Sequence, residues 1–104
     1  MLEGLTIDDF SPRLGETFML HGADGAEMMT VELAEATDLR PTAARGAPDD
    51  GRRAPFSIIF RGHSNVVLPQ GIYGVEHSEL GRFDPFLVTI GPDAGGMRYE
   101  AVFS

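Results

Sequence analysis

The chain has 104 residues, enough for one domain with a single hydrophobic core. It contains no cysteine, which excludes disulfides, thiolate nucleophiles and cysteine-based zinc sites. Its 16 acidic residues outnumber 8 basic ones, all arginine, and the net charge of −8 disfavours nucleic acid and anionic lipid as partners. We therefore expect a single domain, residues 1–104, with no nucleic acid and no membrane partner.

The N-terminal arm, residues 1–14, is expected to hold one short helical turn at about residues 6–12. Thr6 and Asp9 have the capping-box spacing, a hydroxyl followed three residues later by an acid, and Pro12 limits any continuation. An irregular arm whose apolar side chains cover the end of a sheet is the alternative.

The start of the chain lacks the basic and apolar regions of a secretory signal, and no stretch approaches the roughly 20 apolar residues of a membrane span. We therefore expect synthesis in the cytoplasm. Incorporation into an extracellular assembly by a dedicated machine would leave no signal in this sequence.

A β-hairpin is predicted next. Apolar residues alternate with polar ones at 18–20 and again at 29–33, with turn-forming residues around 24–25. A helix over 26–39 is the alternative, because Glu, Ala, Met and Leu favour helices. The period of two favours the strand.

Residues 40–55 are expected to form a mobile loop. They include three prolines, two glycines and four arginines, and no large apolar residue. Such a segment cannot bury enough surface to offset its ordering entropy. It is longer than most connections in compact domains, so it is either functional or merely tolerated.

The remaining strands are predicted at 56–61, 72–77, 86–90 and 97–103, the last two joined by a turn-rich segment at 91–96. Gly74 inside a strand pattern indicates a bulge or close packing. Six short strands predict an all-β domain, an antiparallel meander curled into a small six-stranded barrel or sandwich.

The segment 68–71, Leu-Pro-Gln-Gly, fits a tight turn in which proline presets φ and Gly71 closes the turn in a strained conformation. Strand-like runs flank it on both sides. The residues of the structural motif that this turn begins are Pro69, Gln70, Gly71, Tyr73, His77 and Gly81.

The histidines, His21, His63 and His77, are the only nitrogen ligands available, and none has the spacing of a metal site. We expect His77 to anchor the turn before residues 80–81 by a hydrogen bond. A pair between His77 and Glu79, on the same face of a strand, is the alternative.

No serine lies in a G-x-S-x-G setting. We therefore expect no catalytic residue, no cofactor and no bound metal, and hence no enzyme.

Several motifs together resemble a small bacterial family of domains of unknown function, DUF6916. They are G-E-T-F at 15–18, L-P-Q-G-x-Y at 68–73, H-x-x-L-G at 77–81, the apolar run at 86–92 and Y-E-A-V-F at 99–103. The resemblance spans nearly the whole chain. It implies no catalytic residue, and it associates the chain with phage-tail-like or tail-collar-type genes.

We therefore expect a non-catalytic structural or assembly domain, a component or accessory of a phage-tail-like assembly. Its partners would be proteins, either further copies of the chain or other tail-like proteins. The strand 99–103, with Tyr99, Ala101 and Phe103 on one face, is expected to offer an unshielded edge for assembly. The alternatives are a closed monomeric barrel and, for function, a small β-barrel module that binds a ligand or peptide.

Overall fold

The computed structural model describes residues 5–22, 24–39, 55–63 and 67–103. These residues are mostly β, with one short helix at the N-terminal end, so the all-β prediction is confirmed. The predicted mobile loop, apart from Pro55, lies outside the described residues. In chain order the elements are α1 (Ile7–Phe10), a 3₁₀ turn (Ser11–Arg13), β1 (Thr17–His21), β2 (Glu27–Asp38), β3 (Phe56–Arg61), β4 (Gly71–Ile72), β5 (Gly74–His77), β6 (Gly81–Phe83), β7 (Phe86–Asp93) and β8 (Gly96–Phe103).

The eight strands form one antiparallel sheet in the order β4-β7-β8-β3-β2-β1-β5-β6, and this sheet does not close. The prediction of a six-stranded barrel or sandwich is therefore wrong. The predicted strand 72–77 is interrupted at Tyr73, and β6, which the sequence pattern did not predict, is separated from β7 by residues 84–85. Pro85 has no N–H to offer a ladder, which accounts for the break between β6 and β7.

The sheet nevertheless curls strongly. β4 ends the strand order on one side and β5 stands next to last on the other, yet only Tyr73 separates them in the chain. The Tyr73 N–H, between β4 and β5, donates to the carbonyl of Pro85, between β6 and β7, at 3.2 Å. The chain itself thus brings the two sides of the sheet together around the core, without an uninterrupted ladder between them.

The short N-terminal helix supplies the centre of that core. The Thr6 N–H donates to Asp9 Oδ2 at 2.8 Å and the Asp9 N–H to the Thr6 carbonyl at 2.9 Å, so the predicted helical turn is present and the Asp9 side chain caps it. The turn delivers Phe10 with no exposed surface. Its ring centroid lies 5.6 Å from that of Phe83 and 5.7 Å from that of Phe103.

The predicted β1–β2 hairpin is confirmed, and β2 is a strand rather than a helix. At its tip Gly25 adopts φ +83° and the Ala26 N–H donates to Asp24 Oδ1 at 3.0 Å. The predicted pairing of residues 86–90 with 97–103 is also present, as the β7–β8 hairpin.

The C-terminal strand is not an edge. β8 lies between β7 and β3 and is paired with both of them. Tyr99, Ala101 and Phe103 are all buried in the core. The expectation of an unshielded assembly edge at these residues is therefore wrong, because hydrogen bonds to two neighbours occupy the backbone and the core occupies the face.

Gly71 and Gly81 differ in backbone conformation. Gly81 adopts φ +78° where the three-residue loop between β5 and β6 closes, a conformation that favours glycine. Gly71 has no positive φ, and a Cβ atom added there would meet only Tyr73 Cε2, at 3.9 Å. The expectation of a strained Gly71 is therefore wrong, and the strained position of the motif is Gly81.

Substitution by alanine should separate the two glycines. We expect Gly81→Ala to lower the free energy of unfolding by about 1–2 kcal/mol, because a Cβ atom opposes the left-handed conformation. Gly71→Ala is the matched control and should change it by less than about 0.5 kcal/mol. Urea unfolding measures both, and equal losses at the two positions would contradict this assignment of strain.

Candidate functional site

Two motifs that are far apart in the sequence, G-E-T-F at 15–18 and H-x-x-L-G at 77–81, meet beside β1. Glu16 immediately precedes β1 and His77 ends β5, and His77 Nε2 lies 2.7 Å from Glu16 Oε1. The His77 ring is almost fully buried and packs against Phe18 with 4.6 Å between ring centroids. Together with Arg13 and Glu79 these two polar residues form what we call the His77 cluster.

The other ring nitrogen of His77 holds the β5–β6 turn. Nδ1 accepts the backbone N–H of Glu79 at 3.0 Å and that of Leu80 at 3.3 Å, so the expected anchoring hydrogen bond is present. The carboxylate of Glu79 accepts from Arg13 Nη2 at 3.4 Å. The turn is thereby tied to the N-terminal arm.

These contacts determine where the proton of a neutral His77 ring lies. Backbone N–H groups can only donate, so Nδ1 must present its lone pair and Nε2 must carry the hydrogen that Glu16 accepts. Neither nitrogen retains a free lone pair. In this arrangement the His77 ring fixes the β5–β6 turn relative to Glu16.

The same argument weighs against a metal ion in the cluster. The ligand atoms of Glu16, His77 and Glu79 all lie within 4.8 Å of one another, which resembles a cation site. A neutral histidine that binds a metal through Nε2 must carry its proton on Nδ1 and donate it to a partner. Here Nδ1 faces two donors, so the cluster does not suit a metal.

His21 has the opposite surroundings. Its Nδ1 lies 3.3 Å from the carbonyl oxygen of Gly25 and its Nε2 lies 2.9 Å from Glu76 Oε1. Both partners are acceptors, so a doubly protonated ring satisfies both contacts. The residue links the β1–β2 turn to β5. The β1–β5 pairing is therefore flanked by two histidine–glutamate contacts, neither of which the sequence pattern indicated.

The Leu-Pro-Gln-Gly segment is held by hydroxyl groups. The Tyr73 hydroxyl donates to the Pro69 carbonyl at 2.6 Å, and the Leu68 N–H donates to the Tyr99 hydroxyl at 3.0 Å. The Thr89 hydroxyl donates to the Leu68 carbonyl at 2.7 Å. Burial, with a smaller contribution from Tyr99, raises the pKa of Tyr73. This part of the motif is structural, and the Gln70 side chain is left exposed.

A polar cleft of about 230 Å³ lies beside Arg61. Arg61 Nη2 contacts Asp93 Oδ2 at 2.6 Å, and Nη1 lies 3.6 Å from Glu32 Oε1. The hydrogen bond that Arg61 donates to Asp93 raises the pKa of Arg61 and lowers the pKa of Asp93 to about 2. The guanidinium thus links β2, β3 and β7, and its charge is already balanced. The cleft is lined by Thr17, Thr30, Val31, Glu32, Arg61, Gly62, His63 and Gly95.

Three large apolar side chains lie exposed on the outer face of the sheet. Ile72 on β4 is 66% exposed, Phe86 on β7 51% and Val102 on β8 60%. Ile72 and Phe86 are cross-strand partners. Val88 of β7 is paired with Glu100 of β8. Phe86 lies two residues before Val88 and Val102 lies two residues after Glu100, so the antiparallel register places Phe86 opposite Val102. We call Ile72, Phe86 and Val102 the outer band. The alternation of inward and outward side chains along a strand predicts that each of the three points outward. Only the pairing register of β4, β7 and β8 shows that they are neighbours.

Nitrogen-15 NMR of the imidazole rings should find the hydrogen of a neutral His77 on Nε2 and none on Nδ1, for the reasons given above. Adding Zn²⁺ should leave the melting temperature unchanged. A rise in melting temperature that Glu16→Gln abolishes would instead establish a metal site in the His77 cluster.

The Asp93 contact should appear in the pH dependence of stability. The folded pKa of about 2 lies below the reference value of 3.8, so Asp93 stabilises the fold above about pH 4 and loses this contribution as the pH falls towards 2. The stability difference between the wild type and Asp93→Asn, measured by urea unfolding, should shrink across that window. When Arg61→Gln is present in both proteins, their stability difference should change much less between pH 4 and pH 2. A change as large as that found with Arg61 in place would contradict the role of Arg61.

The described residues contain no helix that is both long and apolar enough to cross a membrane. No curated protein and no solved structure matches the chain. A family profile does match, over residues 5–103, and its description is "Domain of unknown function (DUF6916)". Since the match covers nearly every residue, the chain belongs to this family.

Proposed function

We propose that the chain is a non-catalytic assembly domain that binds other proteins through the outer band. The observation that carries this proposal is the exposure of three large apolar side chains on neighbouring strands. Apolar surface left in water forgoes about 25 cal/mol per Å² of burial. A partner that covers the band recovers this free energy, and exposed apolar clusters mark interaction sites for that reason.

The polar side chains of the described residues support the non-catalytic part of the proposal. Both nitrogens of His77 are used by Glu16 and by the β5–β6 turn. Arg61 is held by two carboxylates. These groups stabilise the fold, and a catalytic role would require them to give up those contacts.

A component or accessory of a phage-tail-like assembly is the specific form of this proposal. It draws on the association of the resembled family with tail-like genes. Its partners would be further copies of the chain or other proteins of the assembly. Synthesis in the cytoplasm, followed by incorporation into an extracellular particle, belongs to the same proposal.

A small ligand- or peptide-binding module is the second candidate. The cleft beside Arg61 favours it, because Thr17 and Thr30 are among its lining residues and hydroxyl groups can orient a polar ligand. Against it, the cationic group of the cleft already has two acidic partners.

Site-specific photo-crosslinking in the producing cells tests the assembly proposal. A photoreactive residue at position 86 should give a discrete protein adduct. One at position 28 is the matched control, because Met28 is exposed to a similar degree, 46%, on β2 outside the band. Adducts of equal yield at both positions, or none at position 86, would refute the proposal.

A further inference from the structure

An acidic row lies beside the outer band on the same face of the sheet. Val102 stands two residues after Glu100 on β8. Glu100 is paired with Ile59 of β3, and Ile59 is paired in turn with Glu35 of β2. Ile59 lies between two core residues of its strand, so it and its two partners point outward. We call Glu100, Ile59 and Glu35 the acidic row.

The two carboxylates of the acidic row are not neutralised within the described part of the chain. The side chain of neither Glu35 nor Glu100 forms a hydrogen bond or an ion pair there. Glu32, on the same strand as Glu35, shows the contrast, because it lies 3.6 Å from an Arg61 nitrogen. The acidic row therefore presents two unpaired negative charges next to exposed apolar side chains.

Two arginines on the same face are engaged elsewhere. Arg98 is paired with Arg61 across β8 and β3. Arg61 is held by Asp93 and Glu32, and Arg98 donates to the carbonyl oxygen of Gly91 at 3.3 Å. Both guanidinium groups thus have partners outside the acidic row, and the row keeps its negative charge.

On the basis of the proposed function, we propose that this face binds a segment of another protein that is both apolar and basic. The apolar side chains of that segment cover the outer band, and its arginine or lysine side chains pair with Glu35 and Glu100. Complementary charge steers two proteins together and excludes wrong partners. Arginine suits this role because its guanidinium group can bind a carboxylate with two parallel hydrogen bonds.

The acidic row also specifies the spacing of the partner's cations. Neighbouring strands stand about 4.8 Å apart, so Glu35 and Glu100, with β3 between them, are about 10 Å apart at the backbone. Two basic residues at i and i+7 on one side of an α-helix are separated by about the same distance. An apolar side chain between them would meet Ile59.

Charge argues against a second copy of this chain as the occupant. A second copy would bring two further unpaired carboxylates into the interface, and each chain carries −8. Like charges brought together at an interface oppose binding. A neutral or acidic partner would cover the outer band but would bury Glu35 and Glu100 without a counter-charge, which costs free energy.

Photo-crosslinking at position 86 in the producing cells, followed by mass spectrometry of the adduct, tests this proposal. We expect the crosslinked segment of the partner to carry a net positive charge and at least two arginine or lysine residues. Glu35→Gln and Glu100→Gln should each lower the adduct yield at least threefold. Glu27→Gln, the matched control, removes the same charge from β2 about 26 Å from Glu35 and should leave the yield unchanged. Circular dichroism of the purified variants confirms that each is folded.

A crosslinked segment that is neutral or acidic, or that belongs to a second copy of this chain, would overturn the proposal. Full adduct yield in either Glu35→Gln or Glu100→Gln would do the same. An equal loss of yield in Glu27→Gln would show that only the net charge of the chain matters, and it too would reject the acidic row. In each of these cases an adduct still forms at position 86 and the proposed function stands, whereas the absence of any adduct rejects both.

Discussion

One antiparallel sheet has to enclose the core of this protein, since the only α-helix in the described part of the chain has four residues. The sheet can do so only by curling, and Phe10 fills the space that the curl leaves. Its ring lies between 5.6 and 6.4 Å from four other phenylalanine rings, which come from β1, β3, β6 and β8. The curl decides which apolar residues point inward and which remain outside.

The curl also explains why two histidine–glutamate contacts lie around the pairing of β1 with β5. β1 and β5 pair over only three residue pairs, and histidine–glutamate contacts flank this short junction. His77 binds the β5–β6 turn with one nitrogen and Glu16 with the other, and His21 links the neighbouring turn to Glu76. Both histidines thus hold turns of the sheet in place. The outer face of β4, β7 and β8, which carries the exposed Ile72, Phe86 and Val102, is the surface that we propose for a partner.

Local patterns in the sequence predicted the helical turn, most strand positions and the two hairpins, because capping residues, turn residues and period-two alternation act over a few neighbours. Sheet order could not be read in this way, so β8 was mistaken for an edge. The interruption at Tyr73 lies within an otherwise regular alternating pattern, and β6, only three residues long, is too short to show a period of its own. Contacts such as Glu16 with His77 depend on register between distant strands, and so does the grouping of the outer band.

The central claim is that the curl divides the apolar residues into a core set and a set left for a partner. The free energy of unfolding of Phe10→Ala and Phe86→Ala, measured at concentrations low enough to keep the chain monomeric, tests this division most directly. The account predicts a loss of about 3–5 kcal/mol for Phe10→Ala, because the large cavity lies at the centre of the core, and a loss below about 1 kcal/mol for Phe86→Ala. Equal losses, or a larger loss at Phe86, would contradict it.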